Sequence, residues 1–143
     1  MNKVLKGDIS KACVVAKLLK EGFTILEPIS ENSRYDLVID LNGKFLRIQI
    51  KTIYYKNDKK VYEMACYSTT RRNKKHIKAI YTEEEVDYII GYNPEKDEMY
   101  TFPIRDINGR NQIVFRNKRR ANQYSPLDTN KYQNAAALIN AIH

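Results

Sequence analysis

The sequence predicts a mixed-sheet α/β domain, mainly because of the order of its hydrophobic patterns. An amphipathic helix comes first, a strongly alternating β-hairpin and further strands follow, and a second helix closes the chain. The 143 residues suit a single domain over residues 1–143. Five glycines and four prolines mark turns rather than linkers, and the chain has no internal repeat. We therefore expect one mixed central sheet with flanking helices.

The first predicted element is a helix that begins at an Asp8 cap and ends at Gly22, a residue suited to the left-handed conformation. Apolar residues recur in it at three- and four-residue spacings, and we expect this stripe to face the core: Ile9, Ala12, Cys13, Ala16 and Leu19. A strand over residues 23–27 follows, and Pro28 ends it.

The clearest pattern is a β-hairpin around Asn42-Gly43, the dipeptide preferred in two-residue turns. Its strands are expected at residues 36–41 and 44–52. Side chains alternate strictly along the second strand, with Leu46, Ile48 and Ile50 on the core face and Phe45, Arg47, Gln49 and Lys51 on the other. The second face carries three polar side chains in a row, so it either meets water or forms a site.

Further strands and a closing helix complete the predicted fold. The strands are expected at residues 61–67, 87–92, 98–104 and 112–115, and the helix at residues 131–142. The tyrosines of the middle strands (Tyr88, Tyr92 and Tyr100) and the apolar face of the last helix are candidates for a subunit interface, and both are equally consistent with core.

Two basic clusters account for the net charge of +8. One is a predicted loop at residues 71–78 with five cations and no acid, and the other is residues 116–120 with four cations. Without these nine side chains, 16 basic residues face 17 acidic ones, so the basicity is local and indicates a polyanion partner; the alternative is a solvated basic surface. The residues expected to contact that polyanion are Arg71, Arg72, Asn73, Lys74, Lys75, Lys78, Arg116, Lys118, Arg119 and Arg120; in double-stranded DNA, such cations would meet phosphates, and Arg and Asn could also bond base edges.

Cysteine usage and hydropathy indicate a cytoplasmic setting. Cys13 and Cys66 lie in apolar segments and are expected to be buried free thiols, with no paired-cysteine metal spacing. No apolar run approaches the length that crosses a bilayer, and the lysine-rich N-terminus does not read as a secretion signal. We therefore expect no membrane association.

The register of the hairpin brings three functional side chains together. A two-residue turn pairs Leu41 with Lys44, so Asp36 is opposite Gln49, and alternation places Lys51 on the same face. A carboxylate, an amide oxygen and an ammonium then converge within about 5 Å. Hard oxygen ligands bind divalent cations, and a nearby ammonium can serve phosphodiester hydrolysis. The alternative is an exposed polar face of an edge strand.

These residues resemble the PD-(D/E)xK nuclease superfamily, whose motif places a carboxylate on one hairpin strand and a carboxylate, any residue and a lysine on the next. Here the matching residues are Asp36 and Gln49-Ile50-Lys51. The segments Gly7-Asp8-Ile9-Ser10, residues 32–40 and residues 47–52 further resemble the cyanobacterial group I intron-encoded homing endonuclease of that superfamily. The resemblance is specific over residues 1 to about 55. It implies a restriction-endonuclease-like core.

The resemblance also implies the role of each matching residue. Asp36 would be the central metal ligand, with the Gln49 amide oxygen and the Ile50 carbonyl completing the ligands for Mg²⁺, or for a cation such as Mn²⁺. Lys51 would orient or help deprotonate the attacking water. Tyr35 stands where the motif has proline, and Gln49 replaces a carboxylate, so the site has one negative charge fewer.

Lys11 is the main departure from the family pattern. Related nucleases have a metal-binding glutamate at this helical position, and a protonated lysine there competes with the cation for Asp36. We therefore hypothesise that Lys11 makes this chain a poor catalyst, suited to holding uncut DNA. The alternative is that Lys11 is a solvated helix residue and that Asp8 serves the metal.

The sequence thus predicts a sequence-specific, metal-dependent double-strand endonuclease of the homing type. Cutting both strands needs two active sites, so we expect a homo-oligomer, either a dimer or a tetramer. The alternatives are a Holliday-junction resolvase, a restriction-type endonuclease, or a non-catalytic DNA-binding protein.

Overall fold

A computed structural model describes residues 1–115 and 127–141. It contains two α-helices, α1 (Lys3–Lys20) and α2 (Ala136–Ala141), and short 3₁₀ turns at Ile104–Asp106 and Thr129–Tyr132. The strands are β1 (Thr24–Leu26), β2 (Leu37–Leu41), β3 (Lys44–Thr52), β4 (Tyr54–Lys56), β5 (Val61–Ala65), β6 (Tyr67–Arg72), β7 (Lys75–Ile80), β8 (Tyr88–Asn93), β9 (Glu98–Pro103) and β10 (Gln112–Phe115).

The central sheet is mixed, as the sequence predicted. Its five strands have the order β1-β2-β3-β8-β9, and only the β3–β8 pair is parallel. A parallel pair needs a long crossover, and β4 to β7 lie within it. Strands β10, β5 and β4 form a second sheet, and β6 pairs with β7 alone.

Two hydrophobic clusters cover the two faces of the central sheet. On one face, Val14 and Leu18 of α1 pack with a cluster that includes Ile48 and Ile90. On the other, Ile89 and Phe102 pack with residues of the second sheet, including Met64 and Ile113. The opposite directions of Ile89 and Ile90 follow from the alternation of a strand, and β8 is buried along its whole length.

The first helix differs from the prediction in both its start and its buried face. Asn2, not Asp8, caps it: the Asn2 Oδ1 accepts a hydrogen bond from Leu5 N at 2.8 Å. The fully buried residues are Ser10, Val14 and Leu18, whereas Leu19 is 56% exposed. The predicted stripe was wrong because Ser10 is polar yet buried, its hydroxyl lying 2.7 Å from the Thr52 hydroxyl of β3.

The predicted hairpin register is confirmed from Leu37 to Leu41, and Asp36 lies just before the paired range. Leu41 pairs with Lys44 and Leu37 with Ile48, as the two-residue turn requires. Asn42 and Gly43 both have positive φ angles, 55° and 89°, which define the turn type that this dipeptide favours. Leu46, Ile48 and Ile50 are buried, and Arg47, Gln49 and Lys51 are half-buried on the other face.

Three other predictions are corrected. The predicted basic loop at residues 71–78 is the end of a β-hairpin, since β6 and β7 pair from Tyr67↔Ile80 to Arg72↔Lys75. Alternation is weak there because both faces carry polar side chains, which hides the strands from a hydrophobic pattern. Strand β4 was missed because it has only three residues. The last helix begins at Ala136, not residue 131, because Thr129–Tyr132 forms a separate 3₁₀ turn.

The second basic cluster (Arg116, Lys118, Arg119 and Arg120) lies outside the described residues. The tyrosines considered for an interface are core, with Tyr88, Tyr92 and Tyr100 exposed by 9%, 4% and 7%. In α2, Leu138 is buried and Ile139 is 42% exposed. Within the described ranges, no helix is both long and apolar enough to span a membrane.

Candidate active site

The candidate site is at the start of β2, where Asp36 is the residue just before the strand. Its main chain still pairs with β3, because Asp36 N donates to Ile48 O at 2.8 Å. Its side chain turns toward β3, where Oδ2 accepts a hydrogen bond from Ile50 N at 2.9 Å. One backbone amide thus fixes the carboxylate, and the second carboxylate oxygen can face another group.

The Ile50 backbone points toward Asp36. In a β-strand the N–H and C=O of one residue point to the same side, since the two groups pair with the same neighbour. The Ile50 N–H is directed at Asp36, so the Ile50 carbonyl faces that side of β3 too. The carbonyl is therefore available as a second oxygen ligand beside the carboxylate.

Gln49 precedes these groups and points to the polar face of β3. Its side chain is half-buried, and it follows Ile48, which pairs with Leu37 at the end of the β2–β3 ladder. A neutral amide supplies one ligand oxygen and no negative charge. Asp36 contacts Ile50 N, and Gln49 is the residue before Ile50 on β3, so these three predicted ligands lie at one end of the hairpin.

Lys51 reaches across to the basic hairpin, the name used here for β6, β7 and their turn (Tyr67–Ile80). The Lys51 Nζ donates to Tyr67 O at 2.9 Å and lies 5.1 Å from the centroid of the Tyr81 ring. Burial lowers the pKa of Lys51, and the positive charge of Arg34 lowers it further, although Asp36 opposes both. A lysine with a lowered pKa exchanges protons with water more readily near neutral pH.

Burial dominates the electrostatics of Asp36 as well. It raises the pKa of Asp36 above its ordinary value of 3.8, against the hydrogen bond from Ile50 and the positive charges of Lys11 and Lys51. A carboxylate that burial makes costly to ionise gains from a divalent cation that neutralises it.

Lys11 of α1 lies close enough to Asp36 to lower its pKa. Its Nζ is also 3.8 Å from Glu27 Oε1, with the two side chains 38% and 62% exposed. The helix therefore presents an ammonium to the site, and Glu27 shares it with Asp36. Asp8, the alternative ligand, is an exposed residue of α1.

Three residues around the site were not selected from the sequence: Arg34, Tyr81 and Glu85. Arg34 Nε donates to Glu85 Oε2 at 2.6 Å, and its guanidinium carbon lies 4.1 Å from the centroid of the Tyr81 ring. Tyr81 is 3% exposed and contacts both Arg34 and Lys51. Only the position of Arg34, two residues before Asp36, gave a sequence signal, because Tyr81 and Glu85 join the site through tertiary contacts.

The basic hairpin extends away from the central sheet. Asn73 and Lys74 form its two-residue turn, with φ angles of 50° and 62°. Of the predicted DNA-contacting residues in this hairpin, Asn73, Lys74, Lys75 and Lys78 have exposed side chains. Arg71 and Arg72 lie on β6, and their backbones pair with His76 and Lys75. The predicted DNA-contacting residues of this segment therefore share one projecting element.

The donor set fits a hard divalent cation. Within residues 1–115 and 127–141, no group of three or more His, Cys, Asp or Glu side chains is placed to hold a metal ion. The available ligands are the Asp36 carboxylate, the Gln49 amide and the Ile50 carbonyl, all oxygen donors of the kind that Mg²⁺ takes together with water. One carboxylate supplies little charge, so the expected binding is weak.

Comparison with known proteins identifies the family. The model of the PD-(D/E)XK endonuclease family matches residues 1–135. The chain belongs to this family. Among curated proteins, Protein 5.3 of Escherichia phage T7 is 40% identical over 48 residues, which is 34% of this chain and 41% of that protein. The chain therefore matches less than half of this relative.

This PD-(D/E)XK protein also has the fold of a solved nuclease. The structure of the bacterial homing endonuclease I-Ssp6803I superposes on this one with a TM-score of 0.81 and 24% sequence identity, and the match covers 97% of this chain and 93% of that chain. The expected family and the expected fold class are thus both confirmed.

Proposed function

We propose that this PD-(D/E)XK protein is a sequence-specific, Mg²⁺-dependent double-strand DNA endonuclease of the homing type. The observation that carries the proposal is the arrangement at one end of the hairpin: Asp36 accepts a hydrogen bond from Ile50 N at 2.9 Å, and the neighbours of Ile50, Gln49 and Lys51, both point to the polar face of β3. Family membership and the structural similarity to a homing endonuclease support the same reading.

Asp36, Gln49 and Ile50 would hold the cation. When bound, the cation supplies charge neutralisation of the phosphate and a lowered pKa of its water. Lys51 would orient the water that attacks phosphorus and offset charge on the phosphate, while the P–O bond to the leaving oxygen breaks. The basic hairpin and the second basic cluster would contact phosphates and base edges, so they provide grip and sequence recognition.

A complete double-strand break calls for two such sites. Because each chain supplies one site, we propose a homo-oligomer with two-fold symmetry, a dimer or a tetramer, on a nearly palindromic target. A measurement of molar mass by light scattering, with and without a target duplex, tests this. A monomer that cuts both strands would contradict it.

Cleavage assays with paired variants test the activity. Asp36→Asn and Lys51→Met are each expected to abolish Mg²⁺-dependent cutting of a duplex library while leaving binding in EDTA intact. Arg47→Lys is the matched control, because Arg47 lies on the same β3 face but pairs with Asp87 (3.1 Å between Nε and Oδ2). Equal cutting by the wild-type and Asp36→Asn proteins would refute the proposal. A four-way junction cut in preference to a linear duplex would instead favour a resolvase.

A second candidate, a DNA-binding protein that does not cut, is favoured by one observation. Lys11 places a positive charge beside Asp36, and that charge competes with a cation for the carboxylate. If this reading holds, the wild-type protein binds its target but cuts slowly, and Lys11→Glu cuts faster. Equal rates with Mg²⁺ would remove Lys11 as the reason for any low activity.

A further inference from the structure

The basic hairpin is attached to the rest of the fold mainly at its base. It forms a two-stranded sheet of its own, separate from the central sheet and from β10-β5-β4. At its base, Tyr81 N donates to Cys66 O at 3.5 Å, a long contact, and Cys66 N donates to Asn111 O at 2.9 Å. Side-chain contacts at the base of the hairpin add to these two backbone hydrogen bonds.

Arg34 provides such contacts to both strands of the hairpin. Its Nη1 donates to the Ser68 hydroxyl on β6, and its Nη2 lies 3.2 Å from Ala79 O and 3.3 Å from Ile80 O on β7. Its Nε is bonded to Glu85, so all three nitrogens of the guanidinium have protein partners. This fork joins the loop that leads into Asp36 to the base of the hairpin.

Lys51 holds the same base from the other direction. Its Nζ donates to the carbonyl of Tyr67, the first residue of β6. The ring of Tyr81, the residue that follows β7, lies against the cations of both Arg34 and Lys51. The ammonium thus takes its position from the backbone of the hairpin. A tilt of the hairpin would move the Tyr67 carbonyl and, with it, the Lys51 Nζ.

We propose that Arg34 is a positioning residue that couples the basic hairpin to Lys51, so that engagement of DNA by the hairpin sets the place of the ammonium beside the scissile phosphate. The inference rests on the proposed nuclease function and deepens it. Arg34 itself does not contact DNA in this scheme, since its donors are committed to Glu85, Ser68 and the two carbonyls.

A lysine cannot replace the planar guanidinium of Arg34. An ammonium on a flexible chain keeps the charge beside Glu85 but cannot reach both strands of the hairpin in one plane. Misplacement of a reacting group by about 1 Å costs on the order of 100-fold in rate. We therefore expect Arg34→Lys and Arg34→Ala to slow single-turnover cutting at saturating protein by on the order of 10- to 100-fold, with the Kd for DNA in EDTA unchanged.

Arg47→Lys is the matched control. Arg47 is also a half-buried forked arginine, bonded to Asp87 and to the carbonyls of Glu83 and Glu84, but it does not contact the hairpin in the described residues. Its replacement is expected to leave the saturating rate unchanged. Added methylguanidinium should restore cutting to Arg34→Ala, because the Arg34 side chain is 28% exposed and the vacated site opens to solvent.

Each outcome bears on the inference. Unchanged cutting by the Arg34 variants overturns it, and so does a weaker Kd with an unchanged saturating rate, which would make Arg34 a DNA contact. Equal slowing by Arg47→Lys also overturns it, because the loss would then be one of general stability. All rates are compared in the wild-type and the Lys11→Glu backgrounds, so slow wild-type cutting does not hide the effect.

Hydrogen exchange separates this inference from the proposed function. Arg34→Lys is expected to speed amide exchange at the base of the hairpin (Ser68, Ala79 and Ile80), and Arg47→Lys is not. If neither the wild-type protein nor Lys11→Glu cuts DNA with Mg²⁺, the proposed function fails. The coupling is then judged by exchange alone, and unchanged exchange overturns it.

Discussion

Reversing the charge at Lys11 is expected to have opposite effects on stability and on metal binding. In Lys11→Glu, a glutamate replaces the ammonium that lies 3.8 Å from Glu27 and near Asp36. Two unit charges at about 4 Å interact by about 1 kcal/mol in water and about 4 kcal/mol at an effective dielectric constant of about 20. Since the two side chains are 38% and 62% exposed, the pair itself is worth about 0.2–1 kcal/mol.

Without metal, Lys11→Glu loses the attraction between position 11 and Glu27 and gains repulsion from the carboxylates of Glu27 and Asp36. We therefore expect a free energy of unfolding lower by about 1 kcal/mol and a Tm lower by about 3 °C in EDTA. Mg²⁺ should reverse the loss, because the site exchanges a competing ammonium for a carboxylate ligand. A tenfold tighter Kd adds up to about 1.4 kcal/mol of stabilisation at saturating Mg²⁺.

The assay is thermal unfolding over a Mg²⁺ titration, with cutting of a target duplex measured alongside. Lys17→Glu is the matched control: Lys17 is on the same helix and pairs with Asp97 at 3.2 Å, with exposures of 31% and 69%. It should lower the Tm in EDTA by a similar amount and gain nothing from Mg²⁺. If the Mg²⁺-dependent rise in Tm is the same in Lys11→Glu as in the wild-type protein, Lys11 does not oppose metal binding and the reasoning is wrong.

Three further predictions follow from the same structure. In metal-free protein the pKa of Asp36 is raised above 3.8, so the native state keeps this proton to a higher pH than the unfolded state does, and the free energy of unfolding falls as pH rises through the raised pKa. Asp36→Asn keeps an acceptor for Ile50 N, and its free energy of unfolding in urea should lack this fall. Gly91→Ala would place a Cβ 2.5 Å from Met64 Sδ and 3.2 Å from Ile53 Cδ1, and this overpacking should lower the free energy of unfolding by about 1–3 kcal/mol. An unchanged denaturation midpoint would show that the Met64 side chain of β5 moves aside at little cost. If all nine cations of the two basic clusters meet phosphates, the log Kd for DNA should rise with log salt with a slope of about 8 per chain, and Lys75→Ala should reduce it by about 0.9; a slope near zero would exclude the clusters as the DNA-binding surface.

The hairpin was predictable because local rules determine it. Asn42-Gly43 selects one turn type, that turn fixes the register, and the register holds as far as Leu37↔Ile48, the residues next to Asp36 and Gln49. The phase of α1 was not predictable in this way. Nothing local indicates that Ser10 is buried, because its partner Thr52 is 42 residues away in the sequence.

The surroundings of the site were hidden for the same reason. Arg34, Tyr81 and Glu85 meet only when the chain has brought the segment after β7 back against the loop before β2. The strands of the basic hairpin were also missed, since β7 is exposed at nearly every position and has no core face. Composition identified the cations of that segment, but only the pairing of β6 with β7 shows which of them lie on the strands and which on the turn.

The hydroxyl pair of Ser10 and Thr52 bears on which substitutions the candidate site can accept. The 2.7 Å contact ties α1 to the end of β3, directly beside Lys51 and one residue before position 11. Ser10 and Thr52 make this contact themselves, so it does not involve the side chain at position 11. A substitution at position 11 alone would therefore change the charge beside Asp36 without removing this link between α1 and β3.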